Sequence, residues 1–189
     1  MIKAVIFLGN PGQQYSETRH NAGWMVAEAS SNIFAFNWQK KFKGNFCQKN
    51  ISGSKIYFLK PETFMNKSGE SVLALAQFFK VQPEEMLVVH DEIELNFGVV
   101  SFKQGGGLAG HNGLRSISNV LGTKHFYRFR IGVGRPSRGD VSSYVLSKFS
   151  ADEQIVLPTV VDKSAELLAS CLKQGIDPFL NEYAKHKLL

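Results

Sequence analysis

Cysteines are few in this chain and long apolar runs are missing. Both absences limit the classes of protein to which it can belong. Its 189 residues include only two cysteines, Cys47 and Cys171, which form no C-x-x-C pair. Such spacing does not indicate a disulfide scaffold, so we expect two buried, reduced thiols. No run approaches the ~20 apolar residues of a membrane span, and the first residues lack a small-residue cleavage site, so we expect neither a membrane segment nor a signal peptide. A cytoplasmic protein is the resulting expectation.

Motifs for common hydrolytic nucleophiles and metal ligands are also missing. The chain has no G-x-S-x-G elbow and no H-E-x-x-H spacing, so no motif supports a serine nucleophile or a zinc site. Residues 105–110, GGGLAG, do satisfy G-x-G-x-x-G, but a dinucleotide site should carry an Asp or Glu about 20 residues later, where only Lys124, Arg128 and Arg130 stand. We therefore expect no metal and no cofactor, and water remains as the nucleophile of a hydrolysis.

Acidic residues are absent from residues 99–139, although the net charge of the whole chain is only +6. The basic residues of this span are Lys103, Arg115, Lys124, Arg128, Arg130, Arg135 and Arg138. A field of one sign suits a polyanion. A solvated face that keeps the protein soluble is the alternative. The alternation Arg128-Phe129-Arg130-Ile131 favours the first interpretation, because a strand would project both arginines from one face.

Apolar runs of strand length and helical patterns share the chain, which indicates an α/β fold. Strands are predicted at residues 4–8, 42–51, 54–60, 86–89, 98–103 and 126–133. Helices are predicted after His20 and at residues 68–79 and 114–121. A chain of this length buries roughly 70% of its unfolded surface as one domain. We expect residues 1–189 to form a single α/β domain whose mixed, mainly parallel twisted sheet is flanked by helices on both faces.

The carboxyl-terminal part of the chain predicts interrupted helices. Ser150 and Glu153 have the spacing of a capping box, so a helix should start there. Pro158 lies inside the helical pattern, and we expect a kink or break near Leu157 before the pattern continues from 160 to 173. A last short helix is predicted to run from 178 toward 185.

Polar residues follow the predicted buried strands directly. Asn10 ends the first strand, Asp91 follows the strand at 86–89, and His20 opens a helix. Ligands bind at the carboxyl ends of strands in open α/β sheets. His20 could take a proton from water with one imidazole nitrogen while Asp91 accepts a hydrogen bond from the other. The alternatives are a polar surface histidine and an acid that serves as a turn or cap.

Ordered motifs along the chain resemble those of bacterial peptidyl-tRNA hydrolases. The first is Leu8-Gly9-Asn10-Pro11-Gly12, followed by Tyr15 and by Thr18-Arg19-His20-Asn21-Ala22-Gly23. The later motifs are Pro61-Glu62-Thr63-Phe64-Met65-Asn66-Lys67-Ser68-Gly69, Val89-His90-Asp91-Glu92, Phe102-Lys103-Gln104-Gly105-Gly106-Gly107, Gly110-His111-Asn112-Gly113-Leu114 and Arg128-Phe129-Arg130-Ile131-Gly132. Several blocks in one order are far more specific than any single block.

This resemblance implies hydrolysis of the ester between a peptide and the 3′ ribose of tRNA. In the family, His20 and Asp91 correspond to the catalytic histidine and the carboxylate that orients it, and Asn10 helps to distinguish an acylated amino group from a free one. The positions that correspond to substrate and tRNA contacts, at the 3′ CCA end and the acceptor stem, are Tyr15, Phe64, Met65, Asn66, Asn112, Lys103 and Arg130, of which Lys103 and Arg130 would hold the 5′-phosphate. We expect a monomer with peptidyl-tRNA as its partner.

Other interpretations stay open at this point. The three asparagines could be caps or turn residues, Phe64 and Met65 could pack in the core, and His111 has no assigned role. Leu108 and Ala109 replace the Gly or His of many family members. A non-catalytic RNA-binding module and an esterase for small molecules are the two rival functions.

Overall fold

One mixed sheet of eight strands runs through the computed structural model, which describes residues 1–189. The strands are β1 Ala4–Phe7, β2 Gln39–Lys41, β3 Gly44–Ile51, β4 Ser54–Pro61, β5 Met86–Glu92, β6 Val99–Gln104, β7 Tyr127–Gly132 and β8 His186–Lys187. The helices are α1 Ala22–Phe34, α2 Ser68–Phe79, α3 Asn112–Leu121, α4 Val141–Val145, α5 Ala151–Gln174 and α6 Asp177–Glu182. No helix is both long enough and apolar enough to span a membrane.

The strand order is β2-β3-β4-β1-β5-β7-β6-β8, and its centre is parallel. Strands β4, β1, β5 and β7 pair in parallel, whereas the outer pairs are antiparallel. The mixed, mainly parallel sheet expected from the sequence is confirmed in this central region. Because the carboxyl ends of β1 and β5 lie side by side, the residues that follow them meet at one edge of the sheet.

Helices cover both faces of the sheet, and the side chains of the central strands alternate between two cores. In β1, Val5 and Phe7 belong to one core, and Ala4 and Ile6 belong to the other. The first core lies under α1, α5 and α6, and the second lies under α2 and α3. Strands buried on both faces read as continuous apolar runs, which explains why residues 4–8 show no alternation in sequence.

The hairpin and the later strands agree with the predictions except at their ends. β3 starts at Gly44 and not at Phe42, because Phe42 and Lys43 adopt positive φ angles of 57° and 55° in the turn between β2 and β3. The short edge strands β2 and β8 were not predicted. The predicted terminal helix is shorter than expected, since α6 ends at Glu182, and residues 183–185 form a turn that leads into β8.

The break expected near Leu157 is wrong. Helix α5 continues through Pro158, and its start at Ser150 is the predicted capping box, in which Ser150 Oγ accepts from the N–H of Glu153 and Glu153 Oε2 accepts from the N–H of Ser150. Proline removes one helical hydrogen bond. Burial of Val160 and Leu168 beyond Pro158 gives the same helix a continuous apolar face against α1, which offsets that loss.

Candidate active site

A cavity of about 520 Å³ opens at the carboxyl ends of β1 and β5. Seven of the ten predicted site residues line it: Asn10, His20, Phe64, Met65, Asn66, Asp91 and Asn112. They come from separate parts of the chain, since Asn10 follows β1, Asp91 lies in β5, Asn66 lies in the 3₁₀ turn before α2, and Asn112 begins α3. The sheet edge predicted to collect polar side chains is therefore the floor of this cavity.

His20 and Asp91 are in direct contact. His20 lies in the 3₁₀ turn Arg19–Asn21 before α1, and its Nδ1 is 2.9 Å from both Oδ1 and Oδ2 of Asp91. Both side chains are buried. A buried carboxylate accepts and cannot donate, so Nδ1 carries the proton and Nε2 presents a lone pair. His20 Nε2 has no hydrogen-bond partner in the protein, which leaves it free for a group inside the cavity.

A second imidazole binds the same carboxylate. His111 Nε2 is 2.9 Å from Asp91 Oδ1, and His111 Nδ1 accepts from the backbone N–H groups of Gly113 and Leu114 at the start of α3. These two backbone donors fix the tautomer of His111, so Nε2 is the protonated nitrogen that donates to Asp91. The rings of His20 and His111 lie 4.7 Å apart. The Asp91 carboxylate is thus held by hydrogen bonds from both His111 and His20.

The charges of this group are set by burial and by each other. Burial alone would raise the pKa of Asp91, but His20 and His111 hold that pKa well below its usual range, so Asp91 stays ionised. Burial is the largest influence on His20 and lowers its pKa, yet the charge of Asp91 and the hydrogen bond to it together raise the pKa of His20 above the ordinary value. The site can therefore stabilise an imidazolium once His20 takes up a proton.

The side chain of Asn10 is held so that its amide nitrogen, Nδ2, stays free of protein acceptors. Its Oδ1 accepts from the N–H of Met65 at 2.8 Å, while its backbone N–H and C=O are both bonded to the side chain of Asn21, at 2.9 Å and 3.0 Å. No protein acceptor binds Nδ2 of Asn10. This side chain can donate to a carbonyl oxygen in the cavity but has already used the acceptor that would attract an ammonium group.

The walls of the cavity combine apolar and carboxamide groups. Phe64 is 57% exposed, so it does not pack in the core, whereas Met65 is buried in the core under α2 and α3. The side chains of Asn66 and Asn112 are exposed and make no hydrogen bonds, so neither is a cap. The cap of α3 is His111 instead.

Three predicted contact residues lie outside the cavity lining. Tyr15 is half-buried and ends the 3₁₀ turn Gln13–Tyr15. Lys103 is exposed on β6, and Arg130 lies on the neighbouring strand β7. Arg130 Nε binds Glu92 Oε2 at 2.8 Å, and Glu92 itself lines the cavity, so Arg130 is joined to the site through a carboxylate.

The predicted basic field is weaker than the sequence indicates. Arg130 and Arg135 pair with Glu92 and Glu94, which precede the span free of acidic residues. Arg128 shares its strand face with Arg130 but is buried, so it presents no charge to a polyanion. Lys103 makes no ion pair with a carboxylate. The two arginines share one face of β7, as the alternation predicts, but only Arg130 is accessible on it.

Sequence reasoning missed the supporting residues Asn21 and His111. Asn21 sits beside His20 in the first motif, but no spacing rule connects it to the backbone of Asn10 eleven positions earlier. For His111, the available signal was its position directly before a helix start, where a capping side chain is expected.

His20, Asp91 and His111 are also the side chains that could hold a metal ion, because their ligand atoms lie within 4.8 Å of one another. Both imidazole nitrogens that face Asp91 are protonated donors in the observed hydrogen bonds, and a protonated nitrogen is not a ligand. The chemistry of this donor set therefore fits an oriented base better than a metal centre.

Comparison with known proteins identifies the family of this chain. The family model described as peptidyl-tRNA hydrolase matches residues 4–188. A peptidyl-tRNA hydrolase of Geotalea uraniireducens is 43% identical over 189 residues, which cover 100% of this chain and 99% of that protein. One from Rhodococcus jostii is 46% identical over 180 residues, 94% of this chain and 95% of its own. The crystal structure of peptidyl-tRNA hydrolase from Acinetobacter baumannii has a TM-score of 0.88 at 36% identity and covers 100% of this chain and 97% of that one. The chain belongs to the peptidyl-tRNA hydrolase family.

Proposed function

We propose that this enzyme hydrolyses the ester between a peptide, or an N-blocked amino acid, and the 3′ ribose of tRNA, with His20 as general base. The observation that carries the proposal is the contact between His20 Nδ1 and the buried carboxylate of Asp91, with Nε2 left free at the cavity. Family membership supports the reaction, and the geometry supports the roles of the residues.

The proposed chemistry needs one base and one water molecule. His20 Nε2 takes a proton from water as the water oxygen attacks the ester carbonyl. The bond between the carbonyl carbon and the ribose 3′ oxygen then breaks, and the imidazolium returns its proton to that oxygen. Asp91 stabilises the imidazolium between these steps. General base catalysis of this kind contributes roughly 10²- to 10⁴-fold to the rate.

Asn10 supplies the proposed selection for an acylated amino group. Its free Nδ2 donates to the amide carbonyl next to the ester, which a blocked amino group possesses and a free ammonium lacks. Asn66 and Asn112 would bind the 3′ CCA end, and Phe64 and Met65 would form the apolar wall beside the peptide. Tyr15 would contact the substrate from outside the cavity.

Lys103 and Arg130 are proposed to hold the acceptor stem through its 5′-phosphate. They lie on adjacent strands near the glycine-rich residues 105–110, and phosphate contacts position a tRNA without reading its sequence. We further propose that the protein acts in the cytoplasm, where translation produces such esters, and as a monomer, because every proposed group comes from one chain. Size-exclusion chromatography with light scattering checks the last point.

The test compares N-acetyl-aminoacyl-tRNA with free aminoacyl-tRNA as substrates. Wild type should cleave the blocked ester and spare the free one, and His20→Ala should lose roughly 10²- to 10⁴-fold in rate. His186→Ala, in the edge strand β8, is the matched control and should keep wild-type activity. Cleavage by His20→Ala as fast as by wild type would exclude the mechanism. Binding without turnover would indicate an RNA-binding module, and turnover of simple esters unaffected by tRNA would indicate a small-molecule esterase.

A further inference from the structure

Arg128 is a buried arginine without a carboxylate partner. Arg128 is 1% exposed, and its side chain is among the largest fully buried side chains of the molecule. It takes part in none of the ion pairs, which engage Arg130 and Arg135 instead. Burial, followed by the charge of Arg130, lowers the pKa of the Arg128 guanidinium. A buried charge is costly unless hydrogen bonds satisfy it, so the groups that bind this guanidinium are part of the structure of the site.

Two backbone carbonyls bind the terminal nitrogens of the guanidinium. Nη1 of Arg128 donates to the carbonyl oxygen of Gly107 at 2.9 Å, and Nη2 donates to the carbonyl oxygen of Gly105. Gly105 and Gly106 adopt positive φ angles of 61° and 85°, which bend the chain so that carbonyls two residues apart reach one side chain. The two terminal nitrogens of the guanidinium form a fork that matches this arrangement.

The residues that follow these carbonyls form a wall of the catalytic cavity. Residues 105–110 are here called the glycine loop, and its Leu108, Ala109 and Gly110 line the cavity. The far end of the loop is held where the N–H of His111 donates to the carbonyl of Leu108 at 2.9 Å, and His111 in turn binds Asp91. The glycine loop is thus fixed at its end by the catalytic group and at its start by Arg128.

A direct phosphate contact does not explain Arg128. Both terminal nitrogens of Arg128 are engaged by the glycine loop, and its Nε is buried without a partner. The neighbouring Lys103 is exposed and is the group that faces solvent at this position, paired across the two strands with Arg128.

We propose that Arg128 is a positioning residue that fixes the glycine loop, so that residues 108–110 present a preformed wall to the substrate. This role rests on the proposed function for its effect on substrate binding, but the hold on the loop itself does not. A wall that is ordered before binding removes the entropy cost of ordering it with the substrate, so the residue acts on substrate binding more than on the chemical step.

The experiment measures loop order and kinetics in Arg128→Lys and Arg128→Met. Backbone ¹⁵N relaxation should give order parameters near those of rigid backbone, about 0.85, for residues 107–110 in wild type, and values below about 0.6 in both variants. The amide protons of Gly105 and His111, which are bonded to Phe126 and Leu108, should exchange faster. For N-acetyl-aminoacyl-tRNA, KM should rise roughly tenfold, the loss of about one charge-assisted hydrogen bond, while kcat changes less than about threefold.

Three comparisons decide the interpretation. Arg128→Lys keeps the charge but cannot reach both carbonyls, and it carries the test if Arg128→Met does not fold. Lys173→Met, exposed on α5, removes one charge elsewhere and should match wild type in every measurement. The slope of log affinity for tRNA against log salt concentration should be unchanged in the Arg128 variants, and a slope reduced by about one would make Arg128 a phosphate ligand instead.

An ordered loop with an unchanged KM in both variants would overturn the proposal.

The proposed function can fail separately. Full activity of His20→Ala would remove the mechanism, whereas the relaxation data on residues 107–110 would still show whether Arg128 holds the loop. A disordered loop together with an unchanged KM would show that the wall has no part in binding, and this result would also contradict the positioning role.

Discussion

At the scale of single residues, the buried carboxylate of Asp91 accepts hydrogen bonds from two imidazole rings. This arrangement determines the charges at the candidate site. His20 Nδ1 lies within hydrogen-bond distance of both carboxylate oxygens of Asp91, and His111 Nε2 binds one of them. The tautomer of His111 is fixed by the backbone of α3, so Asp91 has a second donor that does not depend on His20. A carboxylate held in this way orients His20 without needing a proton of its own.

Asn10 is the second residue whose orientation is fixed by its neighbours. Because the N–H of Met65 occupies Oδ1, the proposed selection depends on Nδ2 alone. Asn10→Asp keeps an acceptor for Met65 but replaces the donor with an oxygen and adds a negative charge that attracts an ammonium. We expect kcat/KM for the blocked ester to fall roughly tenfold and the preference for blocked over free aminoacyl-tRNA to narrow. Measuring kcat/KM for both substrates checks this. If the ratio of kcat/KM for blocked over free aminoacyl-tRNA is unchanged, Asn10 does not select the acylated amino group.

At the scale of elements, strands β6 and β7 carry the proposed tRNA contacts. Lys103 is unpaired and exposed, whereas Arg130 already binds Glu92. Each phosphate contact adds about 0.7 to 0.9 to the slope of log affinity against log salt concentration. Lys103→Ala should therefore reduce the slope by nearly one and Arg130→Ala by less, while Lys173→Ala leaves it unchanged. Binding of a deacylated tRNA over a salt series measures this, and equal slopes in all four proteins would remove both residues from the phosphate role.

The start of α5 is joined to the turn that carries His20. Glu153 Oε2 accepts from the N–H of Ser150 and from Arg19 Nη2 at 2.8 Å, next to His20 in the chain. Ser150→Ala removes the capping oxygen of this helix, so we expect the free energy of unfolding to fall by about 1 kcal/mol. Ser170→Ala makes the same change inside the same helix, where the half-buried serine side chain has no hydrogen bond, and this control should not lower the free energy of unfolding by more than about 0.5 kcal/mol. Urea unfolding followed by circular dichroism compares them, and equal midpoints would show that the cap does not stabilise the helix.

Element by element, local patterns predicted more of the structure than long-range contacts did. The apolar run at 4–8, the hairpin around Gly53 and the cap at Ser150 depend on residues close in sequence, and all three are confirmed. The continuity of α5 through Pro158 depends on packing against α1, which the local pattern does not contain. Burial of Arg128 likewise depends on carbonyls 21 and 23 residues earlier in the chain.

The same contrast between local patterns and long-range contacts applies to the candidate site. Its location was predictable because strand ends in an α/β sheet meet at one edge, and motif resemblance named its main residues. The pairing of Asp91 with His111, the link from Asn21 to Asn10 and the pairing of Arg130 with Glu92 join residues whose separation follows no periodic pattern. These contacts are set by the strand order and could not be derived from spacing.

At the scale of the whole molecule, one sheet connects both cores, and we propose that residues 1–189 act as one catalytic domain. Cys47 and Cys171 are free and lie in the same core, although they are far apart in sequence. Burial raises the pKa of each thiol to about 12. We expect neither thiol to react with a disulfide reagent at about pH 8 in the folded protein, and both to react in one cooperative transition in urea that coincides with loss of circular dichroism. Reaction of one thiol at a lower urea concentration than the other would contradict a single cooperative unit.

The pH dependence of kcat/KM for N-acetyl-aminoacyl-tRNA, in wild type and in Asp91→Asn, tests most directly whether Asp91 orients and charges the His20 base. His20 must be neutral to accept a proton, so the rate should fall as pH decreases through its pKa, which Asp91 raises above the ordinary value of about 6.5. In Asp91→Asn the burial remains but the negative charge is gone, so the acid limb should move to lower pH and the plateau should drop roughly 10²- to 10⁴-fold. An acid limb and a plateau in Asp91→Asn that coincide with those of wild type would contradict the account.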